Sequence, residues 1–458
     1  EFVDAMKMAY TSAMIKGRDL STKFEDVKSY NLDKVLNKIE DGQGGINANA
    51  QRSPRRSTTR KIQTPNQGEL SFGIPEQEGG DMPGIDKNVS GEIGNEQDGR
   101  KGDSDRGNVG NDITPNTPID YFEIQEDTRP FNPSTRFNEN IAAIELLATI
   151  YEEGRPATKE EKDILSKYVG FGGLKVILND PNEAWNETDE KLRPQYVQLM
   201  QSIRRLETQT GYPNLIKGIK ESVLSAFYTP IPVINSMYDI LGKMGFNGGT
   251  ILDPSSGIGN FIGAMPTSMR SKSKITSIEK EPITGMINRL LYPETATIIN
   301  GYEDSGIRNN SQDLVISNIP FGDFKVYDKT LSSDQKKLPN FIHNYFFVKA
   351  VNSAREGGII AFITSTGVMD SPSNQKTREF LAKNTNFLGG FRLPNTTFKN
   401  NANTSVTSDI IFLQKNTTNP SSNYNFINNV DVFVGSNDKS VTINEYFDGK
   451  TEGKKIAI

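Results

Sequence analysis

The sequence predicts an α/β fold in which a mainly parallel sheet is covered by helices on both faces, preceded by a helical segment and a disordered linker. Three observations lead there. Beyond residue 229, short apolar runs alternate with helical stretches, the pattern of strands joined by helical crossovers. From residue 131, apolar residues recur at helical spacing. Residues 41 to 110 hold 14 Gly in 70 positions and only 12 hydrophobic residues, too little apolar surface to offset the entropy of ordering the chain.

Taken in order, Phe2, Met6, Ala9, Tyr10, Ala13 and Met14 keep a helical rhythm, so residues 1–40 are expected to be the helical remnant of an upstream region. Residues 41–130 are expected to be linker, and the basic run Arg52, Arg55, Arg56, Arg60 and Lys61 reads as solvated chain more readily than as a phosphate contact. Residues 131–225 form a helical part. There Phe137, Ile141, Ile144, Leu147 and either Ile150 or Tyr151 share a helix face, and Thr158 with Glu161 makes a capping box for a second helix. The glycine-rich turn Tyr168 to Leu174 reads as a tight connection between helices. Thr229-Pro230 suits an N-cap followed by Pro at the first helical position.

The core of the α/β fold is expected over 226–415. Its apolar runs are Thr250 to Leu252, Lys274 to Ile278, Thr297 to Ile299, Asp313 to Ile316, Gly358 to Thr364, Phe387 to Phe391 and Ile410 to Leu413. Residues 416–458, rich in Asn, Ser and Thr, are expected to be a truncated extension. Because the chain starts at Glu1, it is expected to be a fragment of a longer polypeptide.

Composition narrows the chemistry. The 458 residues include no Cys and one His, His343, which excludes thiolate metal sites, disulfides, cysteine nucleophiles and His-rich metal centres. No metal is expected. No apolar run approaches the roughly 20 residues of a membrane span, so a cytoplasmic protein is expected. A net charge of −5 argues against a wholly basic nucleic-acid coat but permits a local basic cleft.

The first run ends in Asp253-Pro254-Ser255-Ser256-Gly257-Ile258-Gly259-Asn260-Phe261, whose two glycines let backbone approach a ligand before the next helix. Alone the turn is unspecific, since it lacks a third glycine and the Lys-Ser/Thr of a phosphate loop. The second run ends at Glu279, where an acid can take both hydroxyls of a ribose; a solvated strand-end acid is the bland alternative. The fourth run ends in Ser317-Asn318-Ile319-Pro320-Phe321-Gly322. The Asn318 side-chain oxygen and the Ile319 carbonyl can accept both hydrogens of an exocyclic amine, leaving its lone pair aimed at an electrophile. Phe321 can stack on the base, and Pro320 fixes the backbone. An ordinary Asn-Pro turn is the alternative.

In this order, Phe227 to Pro230, Asp253 to Phe261, Glu279 and Asn318 to Phe321 resemble an S-adenosylmethionine-dependent DNA adenine-N6 methyltransferase. The chain resembles more closely the methylase-like domains of large, helicase-linked proteins of phages and conjugative elements, which also share Tyr168 to Leu174, Leu291-Tyr292-Pro293 and Arg392-Leu393-Pro394 to Asp409. The resemblance covers about Phe131 to Lys415 and implies a Rossmann-like class I methyltransferase sheet. It implies that Tyr228, Thr229 and Pro230 line the methionine end of the cofactor, with Asp253, Gly257 and Gly259 around its amino acid and sugar. Glu279 would hold the ribose, and Glu303, at the tip of the third strand, the cofactor adenine. Asn318, Ile319, Pro320 and Phe321 would hold the target base.

The departure is Ile319, where most such enzymes carry a first Pro. The role belongs to a backbone carbonyl, so Ile is expected to preserve it with a less rigid turn, and Ile319→Pro is expected to be neutral or favourable. Lys325, Lys329, Lys336 and Lys337 follow the turn, where they read either as a DNA-tracking loop or as an ordinary solvated one. The implied partners are DNA and a helicase domain of the same polypeptide, and the implied place is a bacterial host cytoplasm or a phage particle. The alternatives are a methyltransferase-fold module without turnover and a protein glutamine methyltransferase.

Overall fold

The computed structural model describes residues 121–223, 228–338, 341–398, 406–421, 425–433 and 440–448. The helix expected near the start, the linker up to residue 120 and Phe227 lie outside these residues. Residues 121–130, expected to be linker, form neither helix nor strand and lie on the unit that carries the sheet. Ile124 joins the main apolar core, its N–H donating to the Gly263 carbonyl at 3.3 Å. Phe122 packs against the same core with its ring centroid 6.1 Å from that of Tyr292, and Arg270 donates to the Phe122 carbonyl at 2.9 Å and lies 4.5 Å from the Tyr121 ring centroid, so apolar and aromatic side chains dock the segment.

The helical part begins with α1 (Pro133–Glu153), capped by Asn132, which accepts from the Thr135 N–H at 3.0 Å, and stopped by Gly154 at φ 60°. In α2 (Lys159–Leu165) both halves of the expected capping box form between Thr158 and Glu161. Then come α3 (Arg193–Thr210), α4 (Leu215–Ser222) and α5 (Ile231–Lys243). Here the expectation needs correction. The cap of α5 is Pro230, with no side-chain hydrogen bond, and a proline follows within the first turn at position 232, so the helix starts one residue later than read. Thr229 is buried, and its carbonyl accepts from Asn260 at 3.4 Å.

Every apolar run beyond residue 250 is a strand. These are β1 (Thr250–Asp253) and β2 (Lys274–Glu279), then after α6 (Pro282–Leu291), β3 (Ala296–Ile299) and β4 (Gln312–Asn318). After α7 (Ile342–Ser353) come β5 (Ala354–Ser365), α8 (Gln375–Asn384), β6 (Thr385–Leu393) and β7 (Ser408–Lys415). The sheet order is β3-β2-β1-β4-β5-β7-β6, parallel from β3 to β5 and antiparallel at β7 and β6.

Alternation along each strand separates two apolar layers. Ile251, Leu314, Ile316, Ile359 and Ala361 share a core with residues of α1, α5 and α6, whereas Leu252, Val315, Ile360 and Phe362 share another with α7 and α8. Helices α1, α2 and α4 also pack on α6, which ties the helical part to the sheet. The described residues beyond 415 include the antiparallel pair β8 (Asn429–Phe433) and β9 (Ser440–Asn444). Phe426 stacks on Phe387 at 4.5 Å between ring centroids, and Asn444 donates to the Met369 and Phe426 carbonyls.

Candidate active site

The strand order reverses between β1 and β4, so the loops leaving their carboxyl ends part and leave a crevice, the usual ligand position in an open parallel sheet. A cleft with about 660 Å³ of free space, part of it open to solvent, lies there. Its walls include Tyr228, Thr229, Ser255, Ser256, Gly257, Glu279, Asn318 and Pro320.

The turn after β1 takes its shape from glycine. Gly257 and Gly259 have φ of 55° and 94°, a region L side chains rarely adopt. A Cβ on Gly259 would stand 2.4 Å from a Tyr292 ring carbon, and one on Gly257 would stand 3.0 Å from the Tyr228 ring. Side chains then pin the turn. Asn288 of α6 donates to the Ser256 hydroxyl at 3.1 Å and the Gly257 carbonyl at 3.0 Å, while the Gly257 N–H donates to Glu279 at 2.8 Å.

Three carboxylates gather at this end of the sheet. Glu279 accepts from the N–H groups of Gly257 and Glu281, and burial pushes its carboxyl up to about 7. Asp253 sits beneath the turn. Burial pushes it up to about 7 as well; a 2.7 Å bond from the Ser317 hydroxyl opposes the shift, and the charge of Glu279 adds to it. Glu281 caps α6 by accepting from the Ile283 and Thr284 N–H groups and the Thr284 hydroxyl, and burial raises it too. Burial also pushes the Tyr228 phenol well above its usual range, with the charges of Glu279 and Glu281 adding to the effect.

The turn after β4 is held differently. The Ile319 N–H donates to the Ile363 carbonyl at 3.1 Å, extending the β4–β5 ladder past Asn318, and the Ile319 side chain is buried in the same apolar layer as Leu252 and Phe362. This corrects the expectation for Ile319→Pro. Proline has no N–H for that bond and cannot fill the same pocket, while isoleucine already fixes the turn by ladder and packing. Phe321 is half-buried beside Pro320.

The cleft thus brings together Tyr228, Thr229, Gly257, Glu279, Asn318 and Pro320 from the residues singled out in sequence. Asp253 and Gly259 support it from behind. Glu303 lies in a short helical turn after β3 and pairs with Lys280 at 3.6 Å. Sequence reading missed Gly170, Ser222, Asn260, Glu281 and Thr284, which also line the cleft. The glycine-rich turn Tyr168 to Leu174 is the signal for Gly170, although its residues alone read as a plain connection between helices.

Residues 219–446 match the model of the N-6 DNA Methylase family. These residues are an S-adenosylmethionine-dependent N6 DNA methyltransferase-like domain. Over 201 residues, 43% of this chain, it is 30% identical to the Defense against restriction protein B of Escherichia phage P1, and it spans 8% of that protein's length. Similar solved structures include a class I S-adenosylmethionine-dependent methyltransferase of Listeria monocytogenes, with 16% identity, 63% of this chain and 90% of that chain covered and a TM-score of 0.37. Another is the methyltransferase subunit of a type I restriction-modification system of Streptococcus thermophilus, with 15% identity, coverage of 62% and 79% and a TM-score of 0.36. No helix among the described residues is long and apolar enough to cross a membrane.

The residues of the methyltransferase-like domain fit its cofactor. S-adenosylmethionine brings a sulfonium, an ammonium and two ribose hydroxyls, all suited to acceptors. Asn260 Oδ1, on the cleft wall, is buried and has no partner among the described residues, a cost that a donor-rich ligand removes. The clustered carboxylates favour a cation in the same place.

Proposed function

We propose that this domain transfers a methyl group from S-adenosylmethionine to the exocyclic amine of adenine in DNA. The observation that carries the reading is the shared cleft, where Glu279 and Gly257 at the end of the first half of the sheet face the same space as Asn318 and Pro320 at the end of β4. The cofactor supplies a methyl group already activated on sulfur. The chain's own residues orient the acceptor. Asn318 and the Ile319 carbonyl take the two amine hydrogens, which draws the lone pair out of the ring, and Phe321 holds the face of the base. The surplus amine proton leaves to water, so no general base is needed. The target adenine is flipped from duplex or taken from single strands.

The name of the phage relative supports a role in protecting phage or mobile-element DNA from restriction. A helicase in the same polypeptide and a bacterial cytoplasmic location go with that role. The alternative of a module without turnover drew on the missing first Pro; the buried Ile319 and its ladder bond weigh against it. Transfer of labelled methyl from the cofactor to unmethylated DNA or to protein tests the readings. For an enzyme, Asn318→Ala should slow transfer by about 100-fold while calorimetry shows cofactor affinity retained. Labelling of protein alone favours glutamine methylation, and bound cofactor with no transfer favours the inert module.

A further inference from the structure

The segment that leaves the turn after β4 carries two aromatic side chains that the fold leaves largely exposed. Phe324 is 52% and Tyr327 75% exposed, and they are the aromatic members of the large hydrophobic side chains left exposed among the described residues. Both fall within a few positions of Phe321. Lys325, Lys329 and Lys336 are exposed around them, and no carboxylate pairs with these three among the described residues, whereas Lys337 is paired with Asp334 at 2.9 Å. Lys336 lies 6.0 Å from the Tyr327 ring centroid and donates to the Lys329 carbonyl at 3.4 Å. Asp323 is the one acidic side chain exposed on this stretch besides Asp334.

An unanchored loop would let such side chains collapse onto the surface. This one is anchored from below. Asp328 is buried and accepts from Lys349 at 2.6 Å and from the Tyr345 hydroxyl at 2.9 Å, both on α7, and Lys349 also donates to the Thr330 hydroxyl at 2.6 Å. Leu331 is buried in the layer beneath the sheet. A buried ion pair with its hydrogen bonds satisfied holds a fixed geometry, so Phe324 and Tyr327 are presented outward from a stiff support.

We propose that residues 321–338 form a binding surface for single-stranded nucleic acid, on which bases stack against Phe324 and Tyr327 while Lys325, Lys329 and Lys336 pair with the phosphates. Exposed rings interleaved with unpaired cations are the pattern of single-strand binding, because every base has a face to stack and every linkage a charge. The inference rests on the reading of the neighbouring cleft as a base-modifying site, and it makes the substrate an unpaired strand delivered straight to Asn318.

Fluorescence anisotropy of the full chain with one labelled oligonucleotide, single-stranded and annealed to its complement, tests it. Single strands should bind more tightly than the duplex. Phe324→Ala and Tyr327→Ala should each weaken single-strand binding about tenfold. Changing the three lysines to Gln should lower the slope of log affinity against log salt by about 2, from roughly 0.7 per phosphate contact. Equal binding of duplex, or aromatic variants with unchanged single-strand affinity, would overturn the proposal. Calorimetry with S-adenosylmethionine separates it from the proposed activity. Cofactor bound without aromatic-dependent strand binding sinks this surface alone, whereas aromatic-dependent strand binding without cofactor affinity sinks the methyltransferase reading alone.

Discussion

The two turns that form the cleft leave neighbouring strands of one sheet and are held by opposite means. The turn after β1 depends on two positive-φ glycines, the Asn288 amide and buried carboxylates. The turn after β4 depends on a continued main-chain ladder and a buried aliphatic side chain. The first is therefore sensitive to added volume and to protonation, the second to lost packing and lost N–H donors. A site for a charged cofactor gains from the former, because carboxylates kept near their pKa respond to the charge of what binds. A site that aims one carbonyl gains from the latter, because the ladder keeps the backbone from swinging.

Breaking the first turn should give the largest effect. Gly259→Ala combines a Cβ within 2.4 Å of the Tyr292 ring with a φ of 94°, and overpacking plus backbone strain should cost about 3 kcal/mol in chemical unfolding. Ile319→Pro should cost about 2 kcal/mol through the lost ladder bond, the unpartnered Ile363 carbonyl and the lost apolar burial. Ile319→Val keeps the ladder, so it should lose less than about 1.5 kcal/mol and retain methyl transfer. An Ile319→Pro protein as stable as the parent would show that the turn does not rely on its ladder.

Protonation sharpens the same contrast. A carboxyl near 7 must lose its proton to accept from both ribose hydroxyls, so cofactor affinity should rise about tenfold from pH 6 to pH 8 and flatten above, and in calorimetry Glu279→Gln should remove the share of that dependence that does not belong to Asp253, which burial also pushes up to about 7. For the cofactor-free protein the sign reverses. Glu279 titrates at about 7 when folded against 4.5 when free, so the unfolded chain gives up its proton first and stability falls as pH rises through that window. Titrations of stability with Ile319→Val should show the parent's pH dependence, since that turn carries no ionisable group.

By itself the sequence determined what local chemistry dictates. Strand positions followed from short apolar runs between helices, the capping box from Thr158 and Glu161, and the close approach at Gly257 and Gly259 from the intolerance of that backbone for a Cβ. Asn318 and Glu279 stood out because strand ends in a parallel sheet point to one side. What only the tertiary structure decided was which distant residues complete the cleft. Gly170 comes from the helical part and Glu281 and Thr284 from the start of α6, while Asn288 on its face pins the glycine turn from behind, and in sequence each looks like an ordinary turn, cap or helix residue. The same holds for Ile319, whose value lies in a partner, Ile363, 44 positions away on β5. Spacing along a chain encodes a residue's own conformation and face, whereas its hydrogen-bond partner and the desolvation that shifts its charge arise only when the strands and helices have packed.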